Sequence, residues 1–147
     1  MRALVQRVSE ASVEVDHAIV GQISRGILVF LGVHHDDTEA NADYLASKLI
    51  QLRIFPDSDG KMNLSLRDIS GEMMVVSQFT LFGDTRKGNR PSYSEAAKPE
   101  LAVRLYDYFV EICRGQGISV STGIFQAHMR VRLINDGPVT LFCTSEG

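Results

Sequence analysis

The sequence predicts one α/β domain with a mixed β-sheet and two main helices. The chain has 147 residues, the length of a single ordinary domain. Apolar runs that are typical of strands alternate with two segments whose apolar residues recur with the period of a helix. No internal repeat, low-complexity tract or linker separates these elements, so we expect them to share one core.

Three strands are expected in the first third of the chain. The segment from Arg2 to Val15 is β-rich and alternates in polarity at its end. Asp16-His17 offers a turn into a second strand, from Ala18 to Ile23. Another turn at Arg25-Gly26 leads to the continuously apolar run Ile27 to Leu31, which is typical of a strand covered on both faces.

The first helix is expected from about Thr38 to Arg53. Acidic residues at its start suit the positive end of the helix dipole, and its buried stripe consists of Ala42, Leu45, Leu49 and Leu52. A turn is then predicted at 56–60, where Pro, Asp, Ser and Gly come together. A short strand at 62–66 follows, and Gly71 then starts a longer strand-like run that ends in Ser77-Gln78-Phe79-Thr80.

The second helix is expected to begin near Pro99, because proline loses no hydrogen bond in a first helical turn. The polar, glycine-bearing segment 83–94 before it is predicted to be a loop. Gly115 or Gly117 ends the helix, and its buried stripe consists of Ala102, Leu105, Phe109 and Ile112. Three strands at 118–122, 129–134 and 139–143 complete the sheet.

Composition and charge exclude few functions. The formal net charge is −3, with 44% hydrophobic and 22% charged residues, which is ordinary for a globular protein. The first residues lack the apolar core of a signal peptide, and the longest apolar run, 27–33, is too short to cross a bilayer. We therefore expect a soluble, unexported protein without membrane contact. Arg86, Lys87 and Arg90 bunch in one segment, so charge alone neither predicts nor excludes RNA binding.

No cofactor, metal or disulfide is predicted. Cys113 and Cys143 stand thirty residues apart in apolar elements, as buried free thiols do. His34-His35-Asp36-Asp37 contains metal-ligand side chains. Adjacent residues of a strand point to opposite faces, however, so the two imidazoles are not expected to share an ion. The segment from Gly83 to Gly88 matches neither a P-loop nor a dinucleotide fingerprint.

The segment Ser77-Gln78-Phe79-Thr80, at the end of an apolar strand, forms the first candidate site. Ser77 and Thr80 carry hydroxyls that can serve as nucleophiles, although no histidine or acid lies close to them in sequence. Backbone N–H groups also leave the ladder at a strand end, where they can form an oxyanion hole. The residues alone leave both interpretations open, beside the ordinary one in which the backbone satisfies the hydroxyls.

The segment 135–140, Asn-Asp-Gly-Pro-Val-Thr, forms the second candidate site. Its proline separates two strand-like runs, at a place where a central strand does not tolerate proline. A β-turn is one interpretation. The other is that Gly137 before Pro138 lets the backbone approach a ligand or another subunit closely.

These two motifs resemble the signature motifs of the D-aminoacyl-tRNA deacylase family. The resemblance runs along almost the whole chain in order and spacing, through Gln6-Arg7-Val8, 26–32, 61–64, 75–81, Arg90-Pro91-Ser92, 105–109, Thr122-Gly123 and 135–140. It implies a barrel-like mixed sheet layered with two helices, a single deacylase domain over residues 1–147, and a cytoplasmic homodimer.

The resemblance also implies a substrate and a shared site. Family members hydrolyse the ester between a D-amino acid and the terminal adenosine of tRNA, so aminoacylated tRNA, and not DNA, is the expected partner. Ser77, Gln78, Phe79 and Thr80 match the motif that lines the catalytic pocket. Gly137 and Pro138 match the cis pair that reaches into the pocket of the partner subunit.

Phe125 and Met129 are expected, on the same resemblance, to form a wall for the terminal adenine. The sequence departs from the family pattern between them. Gln126 stands where the family has a small residue, and His128 stands where an acid is common.

The resemblance implies a mechanism in which the backbone N–H groups of Phe79 and Thr80 stabilise the oxyanion. The ribose 2′-hydroxyl of the substrate then assists proton transfer. A rival mechanism makes Thr80 the nucleophile. Chirality is expected to be read by exclusion, because backbone carbonyls of Gly137-Pro138 would hold the α-amino group and an L side chain would clash. Glycyl-tRNA would then also be cleaved.

Two other functions remain open at this point. One is a hydrolase of a different ester or amide, with Ser77 or Thr80 as its nucleophile. The other is a module that binds the acceptor end of tRNA without cleaving anything.

Overall fold

A six-stranded mixed sheet with two helices against one face forms the fold. The structure is a computed structural model and describes residues 1–145. The strands are β1 (Arg2–Val15), β2 (Ala18–Ile23), β3 (Gly26–Gly32), β4 (Phe55–Pro56), β5 (Met62–Leu64), β6 (Glu72–Ser77), β7 (Ser119–Thr122) and β8 (Arg130–Thr144). The helices are α1 (Glu39–Gln51) and α2 (Pro99–Gly115), with a 3₁₀ helix at Phe79–Phe82. The predicted class, a mixed α/β domain with two main helices, is confirmed.

The sheet has the order β2-β1-β3-β6-β7, and β8 pairs with the other edge of β1. Pairing is antiparallel from β2 to β3 and parallel from β3 through β6 to β7. The two ends of this path approach each other, since Ser121 Oγ of β7 donates a hydrogen bond to Gln22 O of β2 at 3.2 Å. This curvature gives the sheet the barrel-like form that the resemblance implies.

The helices cover one face of the sheet. Ile27, Val29 and Val75 of the central strands point toward them and are fully buried. Leu45 and Leu49 of α1 and Phe109 of α2 lie in the same core. A Thr38–Asn41 capping box starts α1, and Pro99 starts α2 as expected. Burial raises the pKa of the Cys113 thiol to about 12, so this cysteine is an inert core residue.

The opposite face of the sheet builds a second, smaller core inside the curve. Leu28, Met74 and Val76 alternate with the residues that face the helices, which explains why these central strands read as continuously apolar. Val8 and Val13 of β1 pack against them. Met129, Val131 and Leu133 are half-buried at the rim of this core.

Three local features differ from the expectation. Residues 130–144 form one continuous edge strand rather than two, because a change of register opposite Gln6 and Val8 lets the ladder continue past the proline. Phe55–Pro56 pairs with β5 in a separate small sheet, where only a turn was expected at Pro56. The chain beyond Ser77 enters a 3₁₀ turn at once.

Two simpler expectations concern the cysteines and the membrane. Cys113 and Cys143 are both free as predicted, but only Cys113 is buried, and Cys143 is half-buried. Among the helices of residues 1–145, none combines the length and the apolar character that a membrane crossing requires.

Candidate functional site

A cavity of about 560 Å³ opens where β6 ends. Ser77, Gln78 and Phe79 line it together with the segment 125–129. Pro99 and Ala102 of α2 contribute to the wall. The structure therefore brings together the first motif and the segment that holds both residues of the expected adenine wall.

The end of β6 leaves backbone donors unpaired at the cavity. Gln78 N donates the last hydrogen bond of the parallel ladder, to Leu31 O at 2.8 Å. Phe79 and Thr80 then begin the 3₁₀ helix, and the first N–H groups of any helix have no acceptor within it. Two successive donors thus stand free of the ladder just beyond a wall residue of the cavity.

The hydroxyl of Thr80 is exposed and takes part in a local contact. Gln78 Nε2 donates a hydrogen bond to Thr80 Oγ1, and Thr80 itself does not line the cavity. Within residues 1–145, neither Ser77 nor Thr80 is hydrogen-bonded to a histidine or a carboxylate. Neither hydroxyl of this motif is therefore paired with a side-chain base in this structure.

The segment 125–129 that lines the cavity begins in a tight turn. Ala127 N donates to Ile124 O at 3.2 Å, and Gln126 adopts a left-handed φ of 65°. A residue with a Cβ at such a φ costs roughly 1–2 kcal/mol, a cost that glycine alone avoids. Phe125 and Met129 are half-buried on either side of the turn.

Tyr106 of α2 contacts both β6 and Phe125 of the segment 125–129. Its buried hydroxyl donates to Val75 O at 2.7 Å, and its ring lies 6.4 Å from the ring of Phe125. Burial raises the pKa of Tyr106, so the phenol stays a neutral donor across the physiological pH range. From the sequence, Tyr106 was placed only within the second helix and the matched segment 105–109, and this role was missed.

Gly123 leaves room for the Met129 side chain. A Cβ at this position would lie 2.5 Å from Met129 Sδ, too close for van der Waals contact. The glycine therefore leaves space for the Met129 side chain, which lines the cavity and packs against the second core. This explains in physical terms why a glycine belongs to the Thr122-Gly123 match.

His128 also lines the cavity and was treated in the sequence only as a departure from the pattern. Among the described residues that line the cavity, it is the one titratable side chain. Its imidazole is exposed.

Gly137 and Pro138 do not line the cavity of their own chain. Their peptide bond is cis, and both residues are exposed on β8. The expectation that this pair enters the pocket of a partner subunit stays a prediction. Its exposure leaves the pair available for such a contact.

A buried arginine holds the backbone around this pair. Arg7 donates from Nη1 to Ile54 O at 2.6 Å and from Nε to Asp136 O at 3.0 Å, and it forms an ion pair with the Asp136 carboxylate at 3.2 Å. Asn135 Nδ2 donates to Arg7 O and to Val139 O, at 2.9 and 3.1 Å. These hydrogen bonds fix the backbone on both sides of Gly137-Pro138. We call the segment between them, where the register of β8 against β1 changes, the bulge.

The geometric reason given against a shared ion at the histidines was wrong. His34 forms an isolated bridge with Ala96 beyond β3, and the turn that begins at His35 brings the two imidazole centroids within 4.1 Å. With Asp36, their ligand atoms all lie within 4.8 Å of one another. Asp36 N donates to His34 Nδ1, and an Asp36 carboxylate oxygen lies 3.0 Å from His35 Nδ1. These contacts account for the proximity of the three groups without a bound ion.

The sequence is similar to known proteins along its whole length. The family model for D-Tyr-tRNA(Tyr) deacylase matches residues 4–144. A D-aminoacyl-tRNA deacylase of Fervidobacterium nodosum is 59% identical over 146 residues, which cover 99% of this chain and 98% of that one. The corresponding protein of Clostridioides difficile is 57% identical over 145 residues, which cover 99% and 97%.

Two solved structures share the fold. The c-Myc DNA unwinding element binding protein superposes with a TM-score of 0.94 at 38% identity, covering 100% of both chains. A probable eukaryotic D-amino acid tRNA deacylase superposes with a TM-score of 0.83 at 18% identity, covering 97% of both, a likeness that concerns the fold alone.

Fold and full-length relatives together define a hydrolase built on one α/β domain. More narrowly, the chain belongs to the D-Tyr-tRNA(Tyr) deacylase family.

Proposed function

We propose that this protein hydrolyses the ester that joins a D-amino acid to the 3′ end of tRNA, releasing the free amino acid. The observation that carries the proposal is the cavity at the end of β6, where the chain leaves its ladder with unpaired backbone donors next to a lining that is rich in aromatic and apolar side chains. Such a lining suits the flat face of an adenine, and the donors suit a tetrahedral oxyanion.

In this mechanism water attacks the ester carbonyl, and the N–H groups of Phe79 and Thr80 stabilise the negative charge that develops on its oxygen. The bond from the carbonyl carbon to the ribose 3′ oxygen then breaks, and that oxygen takes a proton. The neighbouring 2′-hydroxyl of the substrate relays the proton, since it is already held beside the reacting atoms. The lack of a paired base at Ser77 and Thr80 agrees with this account.

The complete site is proposed to need two chains. Gly137 and Pro138 would enter the cavity of a second copy, where their carbonyls hold the α-amino group and their bulk rejects an L side chain. Exposed apolar residues flank the pair on β8: Ile134 and Phe142 each leave more than half of their surface open. A homodimer that covers this strand would bury them. The proposed enzyme acts in the cytoplasm, where charged tRNA is found.

The direct test incubates the protein with matched D-tyrosyl-tRNA and L-tyrosyl-tRNA. We expect rapid release of D-tyrosine and at least a 100-fold slower release of L-tyrosine. Glycyl-tRNA should also be cleaved, because glycine has no side chain to reject. Equal rates on the two tyrosyl substrates would contradict the exclusion model, and no release from either would contradict the function.

Thr80→Ala separates the two mechanisms. We expect the variant to keep deacylation within about 3-fold of the parent protein, because the proposed role of Thr80 is played by its backbone N–H. Single-turnover rates on D-tyrosyl-tRNA measure this effect, with Ser77→Ala as a second hydroxyl deletion. A loss of 1,000-fold or more in Thr80→Ala alone would instead assign the nucleophile to its hydroxyl.

Both alternative functions have distinct signatures. A hydrolase of another ester or amide with a serine or threonine nucleophile should react with a serine-directed covalent probe. It should release no amino acid from aminoacyl-tRNA. A binding module should retain tRNA on a filter and release no amino acid.

A further inference from the structure

The loop between the 3₁₀ helix and α2 is a closed, basic projection beside the cavity. Asp84 and Ser92 exchange two backbone hydrogen bonds, of 2.8 and 3.0 Å, which close its base. Residues 85–92 are exposed, and Gly88 at the tip has a left-handed φ of 67° with nothing within 4 Å of an added Cβ. The loop therefore extends into solvent from a fixed base.

The base of this loop touches the cavity wall. Tyr93, the residue after the closing bridge, packs edge-on against Phe79 with 5.0 Å between ring centroids. Phe79 lines the cavity. Arg90 precedes Tyr93 by three residues, so its backbone stands at most about 11 Å from the backbone of Tyr93.

The three cations of the loop are not equivalent. Arg86 pairs with Asp84 through two hydrogen bonds, of 2.9 and 2.7 Å, and this partner lowers the pKa of the Asp84 carboxyl to about 2. The positive charge of Arg86 is thus compensated at every physiological pH. Lys87 and Arg90 form no ion pair with any residue among 1–145, so they are the uncompensated charges of the loop.

The two uncompensated cations of the loop suit a polyanion. The chain carries a net charge of −3, and phosphate contacts supply much of the affinity of proteins for nucleic acids. A protein of this charge must present its cations locally. Two free cations on a rigid projection beside the cavity meet this requirement.

We propose that Lys87 and Arg90 bind backbone phosphates of the tRNA acceptor end while the terminal aminoacyl-adenosine occupies the cavity. This inference rests on the proposed function and adds to it the element that holds the rest of the tRNA. Lys87 and Arg90 contribute to substrate affinity and leave the chemical step unchanged, because they lie outside the cavity.

The experiment compares two substrates that differ in their phosphates. D-tyrosyl-tRNA has the acceptor phosphates, and the D-tyrosyl ester of adenosine has none. We expect Lys87→Ala and Arg90→Ala each to lower kcat/KM on the tRNA roughly 3-fold at low salt, and the double variant roughly 10-fold. All three should cleave the adenosine ester at the parent rate. The matched control is Lys61→Ala, which removes an exposed cation from the separate β4–β5 sheet.

Salt dependence provides an independent readout. Each contact to single-stranded RNA contributes about 0.7 to the slope of log affinity against log salt, so each substitution should flatten the slope by about that amount. Lys61→Ala should leave it unchanged. Parent-like kinetics and slope in the double variant would overturn the proposal, as would an equal loss on both substrates.

Failure of the proposed function is distinguishable from failure of this inference. If the parent protein cleaves neither substrate, retention of tRNA on a filter still measures the loop directly. Weaker retention by the double variant than by Lys61→Ala supports the phosphate contact, and equal retention overturns it.

Discussion

Arg7→Ala should destabilise the fold and inactivate the proposed site together. The Arg7 guanidinium is buried and satisfies two backbone carbonyls, of Ile54 and Asp136, that no alanine can reach. Hydrogen bonds from a charged donor contribute about 1.5–3 kcal/mol each, so we expect the free energy of unfolding to fall by about 3 kcal/mol. Without the arginine, the bulge that carries Gly137-Pro138 loses its inner support. A displacement of 1 Å can cost roughly 100-fold in rate, and we expect a loss of at least that size.

Chemical denaturation and single-turnover deacylation measure the two effects of Arg7→Ala. Arg53→Ala is the matched control, because Arg53 also donates two hydrogen bonds, to the backbone and side chain of Asn63, but is exposed. Its loss should cost less than about 1 kcal/mol and leave the rate unchanged. Arg7→Lys keeps the charge but cannot reach both carbonyls, so it should lie between alanine and the parent. A fully active Arg7→Ala variant would show that the bulge is held by other contacts.

The regular part of the fold could be predicted because local patterns and tertiary packing agree there. The strand at Ile27 to Leu31 reads as continuously apolar because alternate residues enter two different cores, one under the helices and one inside the curve. The start of α2 follows from Pro99 alone. In such elements the local preference of the residues and their tertiary packing favour the same structure.

The errors concern places where tertiary contacts decide the local conformation. Proline at 138 indicated a break between two strands, but the ladder to β1 absorbs it through a change of register, which a single strand's sequence does not encode. The imidazoles of His34 and His35 were expected to diverge as in a strand. The chain leaves β3 at Gly32, and the turn brings the rings together.

The position of the candidate site could be predicted from the sequence, but the residues that support it could not. The motif at 77–80 marks the end of a buried strand, and the cavity opens there. Its supports were not predictable from local pattern, since Arg7 and Tyr106 act through backbone carbonyls far away in sequence. Both residues look like ordinary members of a strand and a helix until the partner segment is known.

Gly137→Ala should abolish deacylation while leaving the single chain stable. The residue is exposed, and an added Cβ would meet Asn135 Oδ1 at 3.1 Å, a contact that a small movement of that side chain relieves. We expect the free energy of unfolding to change by less than about 1 kcal/mol. In the proposed site, however, the new methyl group would stand where the substrate meets the partner's backbone, and a loss of about 100-fold or more follows. Gly115→Ala, the same change at the exposed end of α2 with nothing within 4 Å, should remain fully active.

A mixing experiment decides whether the site is shared between chains. Ala102→Phe would fill the cavity from α2, so each variant alone should be inactive, one through its pocket and the other through Gly137→Ala. A heterodimer of the two pairs an intact pocket with an intact Gly137-Pro138 segment, at one of its two sites. Random reassociation makes about half of the dimers mixed, so an equal mixture should recover about one quarter of the parent activity. A site contained within one chain predicts no recovery at all, because no single chain in the mixture is intact.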